Sequence, residues 1–237
     1  MSSRPSAAAE FPSDHLDRRV QVVADFVGTL DQEDFVDAPA GWPDEISTAL
    51  LDAVYSAQQR YHSNTPGAGV YNRVLAFRQE FSKRDSELLN DLSRLVTVEE
   101  SEIRSIMGNN VVSDGKSTPK SVAVRHAAAR LLKISVGRAS DLHDAKPEDV
   151  KKAYTGVPGL GWITHEYFLM LLGQPGIKAD VMITRFVNHA LSTQGLGPVH
   201  AHEASWIIKT IHAETDAARG VGLGHFDHIL WRWQRSR

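Results

Sequence analysis

Apolar residues recur along most of this chain with the spacing of one helix face. Ile46, Ala49, Leu50, Ala53, Val54 and Ala57 fall at i, i+3, i+4, i+7, i+8 and i+11, a single stripe of an α-helix. Val124, Ala127, Ala128, Leu131 and Leu132 repeat the pattern, as do Ala204, Ile207, Ile208 and Ile211, and then Phe226, Ile229, Leu230 and Trp233. Leu16, Val20, Val23, Val27 and Leu30 follow it more loosely. The stretch from Ile163 to Leu172 is apolar on most faces, which predicts a helix buried in the middle of the fold. Another helix is predicted from about Asp180 to Leu191. Pro, Gly and Asn breaks fall between these segments at 39–43, 65–67, 108–110, 113–115, 156–159 and 195–198, where turns are expected. No alternating run bounded by turns competes with them. The pattern predicts an all-α fold of about ten helices with short loops, without internal repeats.

Composition narrows the classes of function. The 237 residues, 42% hydrophobic and 23% charged, fit one large globular domain or two small lobes rather than a disordered chain. Residues 1–12 read as a flexible N-terminal tail. Their first ten lack the apolar core of a secretory signal. Lys and Arg number 26 against 29 Asp and Glu, a net charge of −3, which excludes a uniformly basic nucleic-acid coat but not a local basic face. Cysteine is absent, so disulfides, thiolate zinc sites, iron–sulfur clusters and Cys nucleophiles are excluded together. A reducing, cytoplasmic location is expected. No apolar run reaches the roughly 18–20 residues of a membrane span, so no membrane partner is expected.

The densest chemistry lies at 155–187. In Thr155-Gly-Val-Pro-Gly-Leu-Gly-Trp-Ile-Thr-His165, Pro158 starts a tight turn, and Gly159 and Gly161 permit positive φ and close approach. The turn opens directly into a helix, whose free N–H groups and positive dipole end make an anion site suited to a phosphodiester. Asp180 then heads the next helix, where an Asp is a natural N-cap. Elsewhere Gln58 and Gln59 end a stripe, and Tyr61, His62, Asn64, Tyr71 and Asn72 supply aromatic and amide groups near a Gly-containing loop. Lys116, Lys120, Arg125, Arg130 and Lys133, and separately Arg232, Arg235 and Arg237, give local positive excesses that suit either phosphate contact or a solvated face. His200, His202 and Glu203, and His225 and His228, have spacings a metal can use.

Val157-Pro-Gly-Leu-Gly161 resembles the Leu-Pro-Gly-Val-Gly hairpin of the helix-hairpin-helix (HhH-GPD) DNA glycosylase superfamily, and Asp180 with Arg185-Phe-Val187 resembles the loop and aspartate that follow it. Leu51-Asp-Ala-Val-Tyr-Ser-Ala-Gln58, the Lys120-led helix and Phe226 to Trp233 extend the likeness over roughly residues 45–235, nearest to the endonuclease III and 8-oxoguanine glycosylase branch without its iron–sulfur cluster. The resemblance implies a compact two-lobed helical domain over 13–237, with hairpin and catalytic loop at 155–187. It implies a monomeric enzyme that flips a modified base out of double-stranded DNA and hydrolyses its N-glycosidic bond, in base-excision repair or in defence against phage DNA carrying modified cytosine.

The same resemblance assigns roles. Asp180 becomes the catalytic carboxylate that stabilises an oxocarbenium-like sugar or orients water. Gly159, Gly161, Trp162, Lys120 and Lys178 become DNA contacts, and Gln58 fills the gap left by the flipped base. Tyr71, Asn72 and His165 are expected at the base pocket, although His165-Glu166 can equally be a mutually satisfied polar pair. Bifunctional members carry a Schiff-base lysine where this chain has Ile163, so a monofunctional enzyme leaving an abasic site is expected. No cofactor is required. A structural Na or K ion is implied at the carbonyls of Thr155, Val157 and Leu160. The alternative is a non-catalytic helix-hairpin-helix DNA-binding module.

Overall fold

Eleven α-helices carry the apolar stripes in the computed structural model, which describes residues 13–35 and 37–237. They are α1 Ser13–Gly28, α2 Ile46–Ser56, α3 Val70–Arg84, α4 Leu92–Leu95, α5 Glu100–Met107, α6 Lys120–Leu132, α7 Pro147–Thr155, α8 Trp162–Leu171, α9 Val181–Ser192, α10 Ala201–Glu214 and α11 Leu223–Arg235. Among the described residues the only extended pairing is one isolated antiparallel bridge between Val111 and Pro119. The fold is all-α. The tail expected over 1–12 lies outside the described residues. No helix among the described residues is long and apolar enough to cross a membrane.

The described residues divide into two compact units, one of residues 39–178 and the other of those from 13 to 38 together with 179–237. In the 39–178 unit, α2 is the central element, with contacts to α3, α6 and α8. All eleven of its residues are buried, so the one-sided stripe read from sequence understates its burial. Its polar residues are satisfied only in part: Thr48 Oγ1 donates to Glu45 Oε2 at 2.8 Å and Ser56 Oγ to Ala53 O at 3.0 Å, while the buried Ser47 Oγ has no hydrogen-bond partner among the described residues. The buried centre expected at 163–172 is correspondingly shared. None of the residues of α8 is exposed, but only His165, Phe168 and Leu171 are fully buried.

Helix α6 organises this unit through its basic side chains. Lys120 Nζ donates to Tyr55 O at 3.1 Å and Ala57 O at 2.6 Å, at the end of α2. Arg125 donates to Val96 O at 3.1 Å, just past α4, and Arg130 Nε to Ala153 O at 2.8 Å, in the last turn of α7. Three cations thus meet three helix C-termini, where unsatisfied carbonyls and the negative dipole end favour positive charge. These three are therefore structural, neither of the two roles, phosphate contact or solvated face, that the sequence left open for them.

The other unit packs α1, α9, α10 and α11 through Val23 and Val27, Phe186 and Val187, Ile207 and Ile211, and Ile229 and Leu230, all fully buried. Phe26, Phe186 and Trp233 meet edge to face, with centroids 5.2 to 5.7 Å apart. This geometry suits the ring quadrupoles. Asn188 clamps the turn before α10, donating to Val199 O at 3.1 Å and accepting from Val199 N at 2.7 Å.

Candidate active site

The hairpin leaves α7 at Gly156. Leu160 N–H donates to Val157 O at 3.0 Å, closing a turn whose third residue, Gly159, has φ +84°. Pro followed by a left-handed Gly makes this a type II turn. A Cβ on Gly159 would lie 2.6 Å from Val112 Cγ2, so glycine is required on two counts. Val157 and Leu160 are buried while Pro158, Gly159 and Gly161 are exposed: two apolar prongs anchor an outward-facing backbone. Gly161 departs from expectation, with φ −102°, ordinary extended backbone. Its contribution is space: no atom lies within 4 Å of where its Cβ would be, and no side chain caps the N–H groups of α8. Trp162 and Ile163 follow, both half-buried. Of the three carbonyls implied for a monovalent ion, Val157 O already accepts within the turn, so it retains one lone pair for such an ion.

Gln58 lies beside the hairpin's support. It occupies left-handed backbone, φ +57°, strained for a non-glycine residue, and its exposed side chain accepts from Ser113 Oγ at 3.0 Å. Val112, the next residue back, is the one against which Gly159 packs. Lys120 does not join this surface. It is 1% exposed and both of its bonds go to carbonyls, which corrects its expected role as a DNA contact.

A second cluster surrounds Asp52, which sequence reasoning did not single out. Its Oδ2 accepts from Trp42 Nε1 at 2.8 Å and from Tyr61 OH at 2.7 Å, while the buried Oδ1 has no hydrogen-bond partner. Tyr71 stacks on Trp42 with centroids 6.2 Å apart and lies 5.3 Å from His62 and 6.0 Å from Tyr61. Lys178 Nζ stands 3.6 Å from the centroid of Tyr167, a cation–π contact, and 3.4 Å from Ser56 Oγ. The Lys178 ammonium is therefore directed toward this cluster. Of the three residues expected at a base pocket, Tyr71 stands in this cluster and Asn72 and His165 lie outside it. Asn72 Nδ2 donates to Ser63 O at 2.9 Å and Ala68 O at 2.8 Å, stapling its own loop. His165 is buried against Tyr154, with ring centroids 5.6 Å apart, and neither ring nitrogen has a hydrogen-bond partner. The signal for Asp52 was an acid on a helix otherwise apolar enough to be central. Trp42 and Tyr167 carried no comparable signal.

Burial sets two opposed titrations. It raises Asp52 to about 6, against the bonds from Trp42 and Tyr61 and the charge of Lys178. It lowers His165 to about 4. Between about pH 4 and 6 the folded protein keeps a proton on Asp52 that the unfolded chain has released, so this contribution to stability falls as pH rises, by about 3 kcal/mol in all. Between about pH 4 and 6.5 the unfolded chain holds a proton that buried His165 refuses, so its contribution falls as pH drops, by a similar amount. The two offset each other in the wild type. In Asp52→Asn the offset is gone: urea unfolding is expected to show the variant gaining about 3 kcal/mol on the wild type from pH 4 to 7. A gap independent of pH would count against this assignment.

Asp180 lies in the other unit, half-buried, as the N-cap of α9. Its Oδ1 accepts from Met182 N at 2.8 Å and Ile183 N at 3.3 Å. The histidine pairs gather no third ligand: among the described residues no group of three His, Asp or Glu side chains is placed to hold a metal. A family model described as a domain of unknown function (DUF8548) matches residues 18–235. No curated protein matches the chain.

Proposed function

The chain belongs to the DUF8548 family, and we propose that it is a monofunctional DNA glycosylase acting on a modified base. The observation that carries this proposal is the hairpin. An exposed, glycine-requiring turn on two buried prongs, opening onto an uncapped helix, is an arrangement that grips a phosphodiester through backbone N–H groups. Gln58, in its left-handed corner, fills the stack when a nucleotide leaves it. The half-buried rings of Tyr61 and Tyr71 beside Asp52 supply stacking surfaces suited to a flipped base. The chain places Asp180 two residues after Lys178. Its carboxylate stabilises positive charge on the deoxyribose as the C1′–N bond breaks and the bonding pair departs with the base. Water then adds to C1′ and loses a proton, leaving an abasic site, since Ile163 cannot form a Schiff base.

One observation favours a second reading, a binding module without chemistry: Asp180 already has a structural role as the cap of α9. A panel of duplexes with different modified bases separates the two, with products read before and after alkali. Alkali-dependent cleavage of one duplex supports the glycosylase and names its base. Cleavage without alkali points to a Lys178 amine and overturns monofunctionality. Duplex binding without cleavage anywhere supports the module.

A further inference from the structure

We propose that a depression formed by the loops around α3 and α5 is a phosphoryl-binding subsite. It lies wholly within the 39–178 unit, has a volume of about 350 Å³, and is lined by Arg60, Arg73, Gln59, Asn109, Asn110 and Tyr55 among others, with no carboxylate in its wall. Two guanidiniums and three carboxamides converge there, a donor set that suits an oxygen-rich anion and little else.

The donors hang from fixed backbone. Val70 N–H donates to Arg60 O at 3.1 Å and Tyr71 N–H to Tyr61 O at 3.0 Å, and Lys120 N–H donates to Asn110 O at 2.8 Å. Arg73 is oriented by Nε on Gly67 O at 3.2 Å and by a terminal nitrogen on Met107 O at 2.9 Å, which leaves its other terminal nitrogen for a ligand. The exposed Arg60 side chain makes no hydrogen bond or ion pair among the described residues. Tyr55 is a donor at neutral pH like any tyrosine, and burial pushes its hydroxyl further up, to about 12. The first two N–H groups of α3 are spent on the carbonyls of Arg60 and Tyr61, so the positive potential here comes from side chains.

Two sources present this chemistry: a phosphodiester of a nucleic-acid strand, or a free phosphoryl compound. The first rests on the function proposed above, since Gln59 and Arg60 directly follow Gln58 and would hold the strand beside the residue that enters the stack. The experiment compares the full chain with Arg60→Ala, a change at an exposed side chain with no bond to lose. Lys133→Ala, which removes an exposed cation outside the depression, is the control. Binding of a short unmodified duplex is measured between about 50 and 200 mM salt, and pyrophosphate binding by calorimetry.

Loss of one phosphate contact is expected to weaken duplex affinity about eightfold at 0.1 M salt and to reduce the salt slope by about 0.9. That result assigns the subsite to a strand. Unchanged duplex binding with pyrophosphate binding lost in Arg60→Ala assigns it to a free phosphoryl compound. The proposal is overturned if Arg60→Ala matches Lys133→Ala toward the duplex and the wild type toward pyrophosphate. Absence of excision from every modified duplex would remove the glycosylase and leave these binding results standing.

Discussion

Asp180→Asn is expected to fold as the wild type does and to lose base release by about a hundred- to a thousandfold. The two halves of that result have separate causes. Asp180 uses Oδ1 to accept from Met182 and Ile183 N–H, and Asn caps a helix about as well as Asp. The lost charge at the head of α9 costs about 0.5 kcal/mol, so Tm moves by no more than about 2 °C. The reaction suffers far more. A neutral amide provides no full negative charge against the developing oxocarbenium ion, and removing one stabilising group of this kind costs about a hundred- to a thousandfold in rate. Single-turnover excision and thermal melts on the same preparation check both halves. Asp180→Ala separates them from the other side, because it loses the cap as well and costs about 1 kcal/mol. If Asp180→Asn cleaves at the wild-type rate, Asp180 is a cap and nothing more.

The largest loss of stability is expected at Lys120. Its ammonium binds the carbonyls of Tyr55 and Ala57, and burial together with the nearby Lys178 charge lowers it to about 8, so it remains mostly charged at neutral pH. Lys120→Ala removes two charge-assisted bonds, strands two carbonyls at a buried helix end and empties the volume of a long stem. Together these cost about 4 kcal/mol, or about 10 °C in Tm. Lys120→Met keeps the stem and is expected to recover a part of that. Because Ala57 directly precedes Gln58, both variants are also expected to loosen the left-handed corner. A melt like the wild type's, with a reduced salt slope for duplex binding, would return Lys120 to the phosphate-contact role it has in the sequence reading.

What the sequence made legible follows from which interactions are local. Stripes of apolar residues report directly on the helix they belong to, so α1, α2, α6, α10 and α11 could be drawn from periodicity, and Pro158-Gly159 announced its turn. Helices α3, α5 and α7 are rich in exposed charge with only a few buried anchors, such as Val74 and Phe77 in α3, and their stripes were too thin to stand out. The charges were harder still. Whether Lys120, Arg125 and Arg130 reach solvent or a carbonyl depends on where the ends of α2, α4 and α7 arrive, and nothing within α6 encodes that. Asp52 illustrates the same limit: its environment is made by Trp42, Tyr61 and Lys178, residues from three separate segments.

The basic residues of α6 also bear on how the 39–178 unit comes apart. Helix ends ordinarily fray first, exchanging their amide protons through small local openings that leave the rest of the structure intact. Here the last turns of α2 and α7, and the residue after α4, are each tied to one helix by a side chain that must let go before the end can open. Fraying at any of the three therefore disturbs α6, and disturbing α6 releases the other two. Amides in those final turns should exchange slowly, at a common rate set by opening of the unit as one cooperative block, instead of at the fast and unequal rates of independent helix tips.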